Sequence, residues 1–207
     1  MDLSHPMRVL TPTLDGDLLA VLASAEKSFT TGDLQRQIGH TLAGIRKTLQ
    51  RLVSQGIVLE QPAGPAVLYT LNREHLAAPA IATLAALRAA LFEQMRDDIA
   101  AWKIRTPFAA VFGSTARGDS RVDSDVDVFI IRPDSIDADD DVWRAQVTQL
   151  EHRMNAWTGN DVRALEFAAD ALQRGGEPVL ADVERDGIVV AGTSGWLRRA
   201  AGKAAIK

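Results

Sequence analysis

Cysteine is absent from the chain, and with it go disulfides, zinc knuckles and thiol nucleophiles. Long apolar runs are missing as well: no stretch approaches the ~20 residues that a membrane span requires. The longest uncharged apolar run near the start, residues 18–23, follows Asp15 and Asp17 rather than a basic segment, so a signal peptide is not expected. His5, His40, His75 and His152 share no ligand spacing, and no metal is assigned to them. What remains is an ordinary globular composition, 46% hydrophobic and 24% charged over 207 residues. Wholesale disorder and fibrous repeats are excluded, and there is room for one large domain or two small ones. A cytoplasmic protein is the expectation.

The net charge of −4 is unevenly spread. Residues 1–78 carry 7 Lys+Arg and 7 Asp+Glu, so the whole deficit lies in the remainder. Arg36, Arg46, Lys47 and Arg51 occur with no acid between Leu34 and Leu59. A phosphate backbone responds to such a local face, not to the chain average.

Periodicity predicts three helices in this first part. Leu14, Leu18, Leu19 and Leu22 recur at helical spacing around residues 15–25. A second helix starts near Thr30–Thr31, both good N-cap types, and stops at Gly39. The third, residues 41–55, places Leu42, Ile45, Leu49, Leu52 and Val53 on one side and Ala43, Arg46, Lys47 and Gln50 on the other, with Gly56 ending it. Residues 57–60, a Pro62-Ala63-Gly64-Pro65 turn and residues 66–71 then read as a hairpin.

Three helices and a hairpin over about residues 10–75 resemble the winged helix-turn-helix of bacterial transcription regulators. The resemblance implies DNA binding, with the third helix in the major groove and Arg46, Lys47 and Gln50 reaching bases or phosphates. The hairpin tip holds no Lys or Arg and would add little affinity. A module used only for protein contacts or dimerisation is the competing reading.

Residues 80–102 are rich in Ala and Leu after Pro79, and Leu84, Leu87, Leu91, Met95 and Ile99 form an apolar stripe. One linker helix packing on the core of a second domain is expected. Residues 108–112 are then a short apolar strand bounded by Pro107 and Gly113. The string GSTARGDSRVDSDVDVFII follows from Gly113. Asp125 and Asp127 are two apart at the head of a strand, so their carboxylates share a face about 6.5–7 Å apart. Hard oxygen ligands so placed suit two Mg²⁺ ions roughly 3.5–4 Å apart. Gly113 lets the backbone approach a polyphosphate, Ser114 offers a hydroxyl, and a helix starting near Thr115 would aim free N–H groups at phosphate. Arg117 either adds charge or braces the loop, and Ser124 is a turn or cap residue. A Gly-Ser corner or an Asp-x-Asp pair alone is commonplace; their ordered combination is what points to chemistry.

That string is similar to the signature of the minimal nucleotidyltransferases of the DNA polymerase β-type superfamily: Gly-Ser, Ala-Arg-Gly, a spacer, then Ser-Asp-x-Asp. The resemblance covers about fifteen positions from Gly113 to Asp127 with spacing intact. It implies transfer of a nucleoside monophosphate from an NTP, ATP being the expected one, with Asp125 and Asp127 as catalytic metal ligands and Gly113, Ser114 and Arg117 at the nucleotide. In the family a further acid sits on a later strand. Here residues 160–167 are that strand, and the alignment puts Arg163 at the acid's position. Asp161 and Glu166 are the nearby substitutes; alternation sets Asp161 on the same face as Arg163 and Glu166 on the opposite one.

The remaining features read as structural. Asp134, Asp137, Asp139, Asp140 and Asp141 are a solvated loop with acids at a helix N-terminus. Trp143 and Trp157 belong to the core. A break falls at residues 173–176, a helix over 179–186, a short strand over 187–190, and a basic tail over 197–207. The expectation is an α+β chain: a winged helix-turn-helix over 1–78, and a small nucleotidyltransferase α/β core with a leading linker helix over 79–207. Its function is Mg²⁺-dependent nucleotidyl transfer to an unidentified acceptor; the alternative is a nucleotide-sensing regulator or antitoxin-like protein with weak or no catalysis. DNA, a protein acceptor or a toxin partner are the partners considered, and a homodimer stays open.

Overall fold

The computed structural model describes residues 1–170, 172 and 178–202. Two compact units are present: His5–Arg88, and Met1–Ser4 with the chain from Ala89. Among the described residues no helix is long and apolar enough to cross a membrane. The break read at residues 173–176 and the basic tail beyond Gly202 lie outside the described residues.

In the first unit, α1 (Leu14–Ser24), α2 (Thr31–Ile38) and α3 (Leu42–Ser54) precede the antiparallel strands β1 (Val58–Ala63) and β2 (Ala66–Leu71). Local chemistry sets each boundary. Thr30 and Asp33 form a reciprocal capping box at the start of α2, and Gly39 ends it in the left-handed conformation (φ 71°). The Thr41 hydroxyl accepts from the Gly44 N–H at 3.2 Å to open α3. The turn is tighter than the sequence suggests, because Pro62 lies inside β1 opposite Val67 and only Gly64 and Pro65 turn the chain. An edge strand tolerates that proline, since its outer side needs no N–H. Leu18, Leu22, Leu34, Ile45, Leu49 and Leu52 fill the core, and Phe29 bridges Tyr69 by two backbone hydrogen bonds.

The single linker helix expected over 80–102 is two helices, α4 (Ala78–Ala85) and α5 (Leu87–Ala100), broken at Ala86. Their apolar residues serve different cores. Ala78 and Ile81 pack with the first unit, whereas Leu91, Phe92, Met95 and Ile99 belong to the second.

The second unit is a four-stranded sheet of order β5-β4-β3-β6: β3 (Ala109–Phe112), β4 (Val126–Arg132), β5 (Val162–Ala168) and β6 (Ile188–Ala191). β4 and β5 are parallel, and α7 (Asp141–Thr158) makes the long crossover such a pair requires. α6 (Gly113–Arg117) follows β3, α8 (Pro178–Asp186) precedes β6, and α9 (Trp196–Gly202) follows it. Alternation along β3 and β4 splits the core into two layers. Val111, Val128 and Ile130 meet Met95, Trp143 and Met154 on one face; Ala110, Phe129 and Ile131 meet Val183 and Leu197 on the other. Trp143 is fully buried and Trp157 packs at the edge of the same layer, both as core residues. Asp140 caps α7 by accepting from the Trp143 N–H at 2.9 Å.

Candidate functional site

The Gly-Ser corner forms where β3 ends. Phe112 is the register partner of Asp127, so the next residue, Gly113, meets the Asp127 side chain. Gly113 has φ 70°, and a Cβ built on it would lie 2.8 Å from Asp127 Oδ2. Both the conformation and the space require glycine here. α6 begins at Gly113 itself, earlier than the sequence suggests, and runs only to Arg117. Gly118 closes it, the Ser114 carbonyl accepting from the Gly118 and Asp119 N–H groups at 3.0 and 3.1 Å. Arg117 is exposed and its Nε lies 3.3 Å from Asp119 Oδ2, a contact within the loop that favours the bracing role.

Asp125 precedes β4 and Asp127 lies within it. The Ser124 hydroxyl accepts from the Arg121 N–H at 2.8 Å, making it the turn residue that leads into the acidic pair. Burial pushes the Asp127 carboxyl above the usual carboxylate range, with the Asp125 charge as second cause and Arg163 opposing both. Asp125 has a partner: the Arg163 guanidinium lies 2.7 Å from its Oδ2. The parallel register pairs Asp127 with Arg163 across β4 and β5.

Glu166 is not a substitute acid. It accepts from Arg132 Nε at 2.7 Å and from Trp143 Nε1 at 2.8 Å, under α7 and on the opposite side of β5. Asp161 is exposed just before β5, and its carbonyl accepts from the Val126 N–H at 2.8 Å. Among the described residues no group of three or more His, Asp or Glu side chains could hold a metal. The Asp127 carboxylate fills the space that a side chain at residue 113 would need.

Sequence reasoning missed Asn160. It is buried, and its Nδ2 donates to the Val122 and Ser124 carbonyls at 3.2 and 2.9 Å, tying the acid-bearing loop to the start of β5. Its Oδ1 accepts from the Met1 nitrogen at 2.6 Å, and Ser4 Oγ meets buried Ser120 Oγ at 3.0 Å. Asn160 after the C-capping Gly159 was the available signal, but its partners lie 36 and 38 residues away.

In the first unit, Arg46, Lys47 and Gln50 are exposed along α3. The local excess of positive charge is smaller than the sequence count, because Arg36 pairs with Asp33 and Arg51 with Asp15. Arg46 and Lys47 make no ion pair among the described residues. Arg46 and Gln50 line a groove of about 440 Å³ with Thr30, Thr31 and Gly32 of the α2 start and Pro65, Val67 and Tyr69 of the hairpin; Lys47 is outside it.

Residues 100–172 match the family described as the nucleotidyltransferase domain. None of the curated proteins is similar to the chain. Similar solved structures include a toxin-antitoxin with AMP-PNP, 18% identical over 56% of this chain and 83% of that one, TM-score 0.39. Another is the toxin-antitoxin MntA-HepT, 15% identical over 57% and 84%, TM-score 0.37.

Proposed function

We propose that the chain is a nucleotidyltransferase that moves a nucleoside monophosphate from an NTP, ATP first among them, to an acceptor hydroxyl. The acceptor hydroxyl gives its proton to water as its oxygen bonds to the α-phosphorus, the bond from that phosphorus to the oxygen bridging to the β-phosphate breaks, and pyrophosphate leaves. The observation that carries this reading is the corner itself, Gly113 set against Asp127 with the pairing of β3 and β4 behind it. Asp125 and Asp127 would hold Mg²⁺, which offsets triphosphate charge and lowers the acceptor's pKa when bound. Gly113 admits the polyphosphate close to the backbone, and Ser114 supplies a hydroxyl beside it. Asn160 and Ser124 keep the loop in the shape that presents both acids.

The first unit serves as a winged helix on DNA, with Arg46 and Lys47 at phosphates and Gln50 toward base edges. Free cations on an acid-free helix face support this. The decisive experiment supplies labelled NTP and Mg²⁺ with protein, RNA and small-molecule acceptors. Label transfer by the natural chain, lost in Asp125→Ala and Asp127→Ala, is expected; no transfer to any acceptor class contradicts it.

One observation favours a second reading. Arg163 neutralises Asp125 where the family has an acid. A chain so arranged binds nucleotide and cation with little or no turnover, and acts as a nucleotide-sensing regulator or an antitoxin-like protein with a protein partner. Nucleotide-dependent DNA binding without label transfer would select it.

A further inference from the structure

We infer that Arg163 takes the place of a cation at Asp125, so that the acidic pair binds a single divalent ion with the polyphosphate rather than two. This rests on the nucleotide-binding reading above, with or without turnover, and adds the number of ions to it. The parallel register sets Arg163 beside Asp127, and its guanidinium turns to Asp125 at 2.7 Å. That side chain is 73% exposed, so packing does not force the contact; the carboxylate draws it. Glu166 is committed to Arg132 and Trp143 on the other side of β5, and no trio of acids or histidines forms among the described residues. Two carboxylates and a guanidinium carry one net negative charge. The polyphosphate brings negative charge of its own, so ligands rather than net charge set the limit: a second ion would need the Asp125 carboxylate that the guanidinium already engages. Arg163 engages Asp125 and leaves Asp127, which makes no ion pair among the described residues, as the carboxylate for the single ion.

Mn²⁺ is the probe, counted by electron paramagnetic resonance on the full chain with a non-hydrolysable ATP analogue. The natural chain takes up a single Mn²⁺. Arg163→Asp, which restores the third acid, takes up a second, and Arg163→Gln tightens the apparent Mn²⁺ affinity by about tenfold or more. Because the substituted Arg163 side chain is exposed, both variants should fold as the natural chain does. Uptake of two ions by the natural chain, or the same count and affinity in both variants, overturns the inference and leaves nucleotide binding intact. No Mn²⁺ uptake by the natural chain or either variant overturns the nucleotide-binding reading and the inference with it.

Discussion

The two units carry their chemistry in different ways. In His5–Arg88 the candidate residues lie within one helix, and each boundary is set by a cap a few residues away: Thr30 with Asp33, Thr41 with Gly44, Gly39 at the end of α2. From Ala89 onward no single element holds the site. Phe112 and Gly113 come from β3 and α6, Asp127 from β4, Arg163 from β5, and the brace Asn160 from the turn before it. A helix face is robust to single changes, because each charge acts nearly alone; a corner built from three strands depends on register and on one missing Cβ. Substitutions should therefore cost far more in the second unit than in the first.

The largest effect is expected at Gly113. In Gly113→Ala the new methyl would lie 2.8 Å from Asp127 Oδ2, and the left-handed conformation adds about 1–2 kcal/mol of strain. Displacing the carboxylate should lower nucleotidyl transfer by about 100-fold, measured as label incorporation at saturating NTP. Activity near the natural level would show that the corner tolerates a side chain and would remove the contrast between the units.

A smaller and graded effect is expected on α3. Arg46→Ala with Lys47→Ala should lower the slope of log affinity against log salt by about two phosphate contacts, read by fluorescence anisotropy on duplex DNA. Either substitution alone should give about half of that change. An unchanged slope would take α3 out of the interface.

The elements of the first unit were legible because their signals are local. Thr30, Gly39 and Gly56 mark ends that any chain of this pattern would respect; the turn width, with Pro62 inside β1, departed. The corner was equally legible, since Gly113 to Asp127 is contiguous in sequence. The break at Ala86 was not, because an Ala/Leu run gives the same periodicity whichever core it serves. Glu166 carried no mark of its commitment to Trp143, nor Arg163 of its contact with Asp125. Both follow from the β4–β5 register and the α7 crossover, which local spacing does not encode.

The smallest effect concerns stability. Burial raises the Asp127 carboxyl in the fold, so its favourable contribution exists only below the unfolded carboxylate range and is lost as pH rises through the folded value. At neutral pH the cation-free chain is thus weakened there. Asp127→Asn should melt at a higher temperature than the natural chain at pH 7, and the difference should vanish as the pH falls toward the carboxylate range. Mg²⁺ with nucleotide should narrow the gap by stabilising the natural chain alone. A variant that melts lower at pH 7 would show that the Asp127 charge is already compensated.

The most direct measurement is a calorimetric titration of the full chain with a non-hydrolysable ATP analogue, with and without Mg²⁺, in the natural chain, Asp127→Asn, and Arg46→Ala with Lys47→Ala. The account predicts Mg²⁺-dependent binding that Asp127→Asn abolishes and the α3 pair leaves unchanged. Binding that survives without Mg²⁺ and in Asp127→Asn, or that is lost only in the α3 pair, would contradict it.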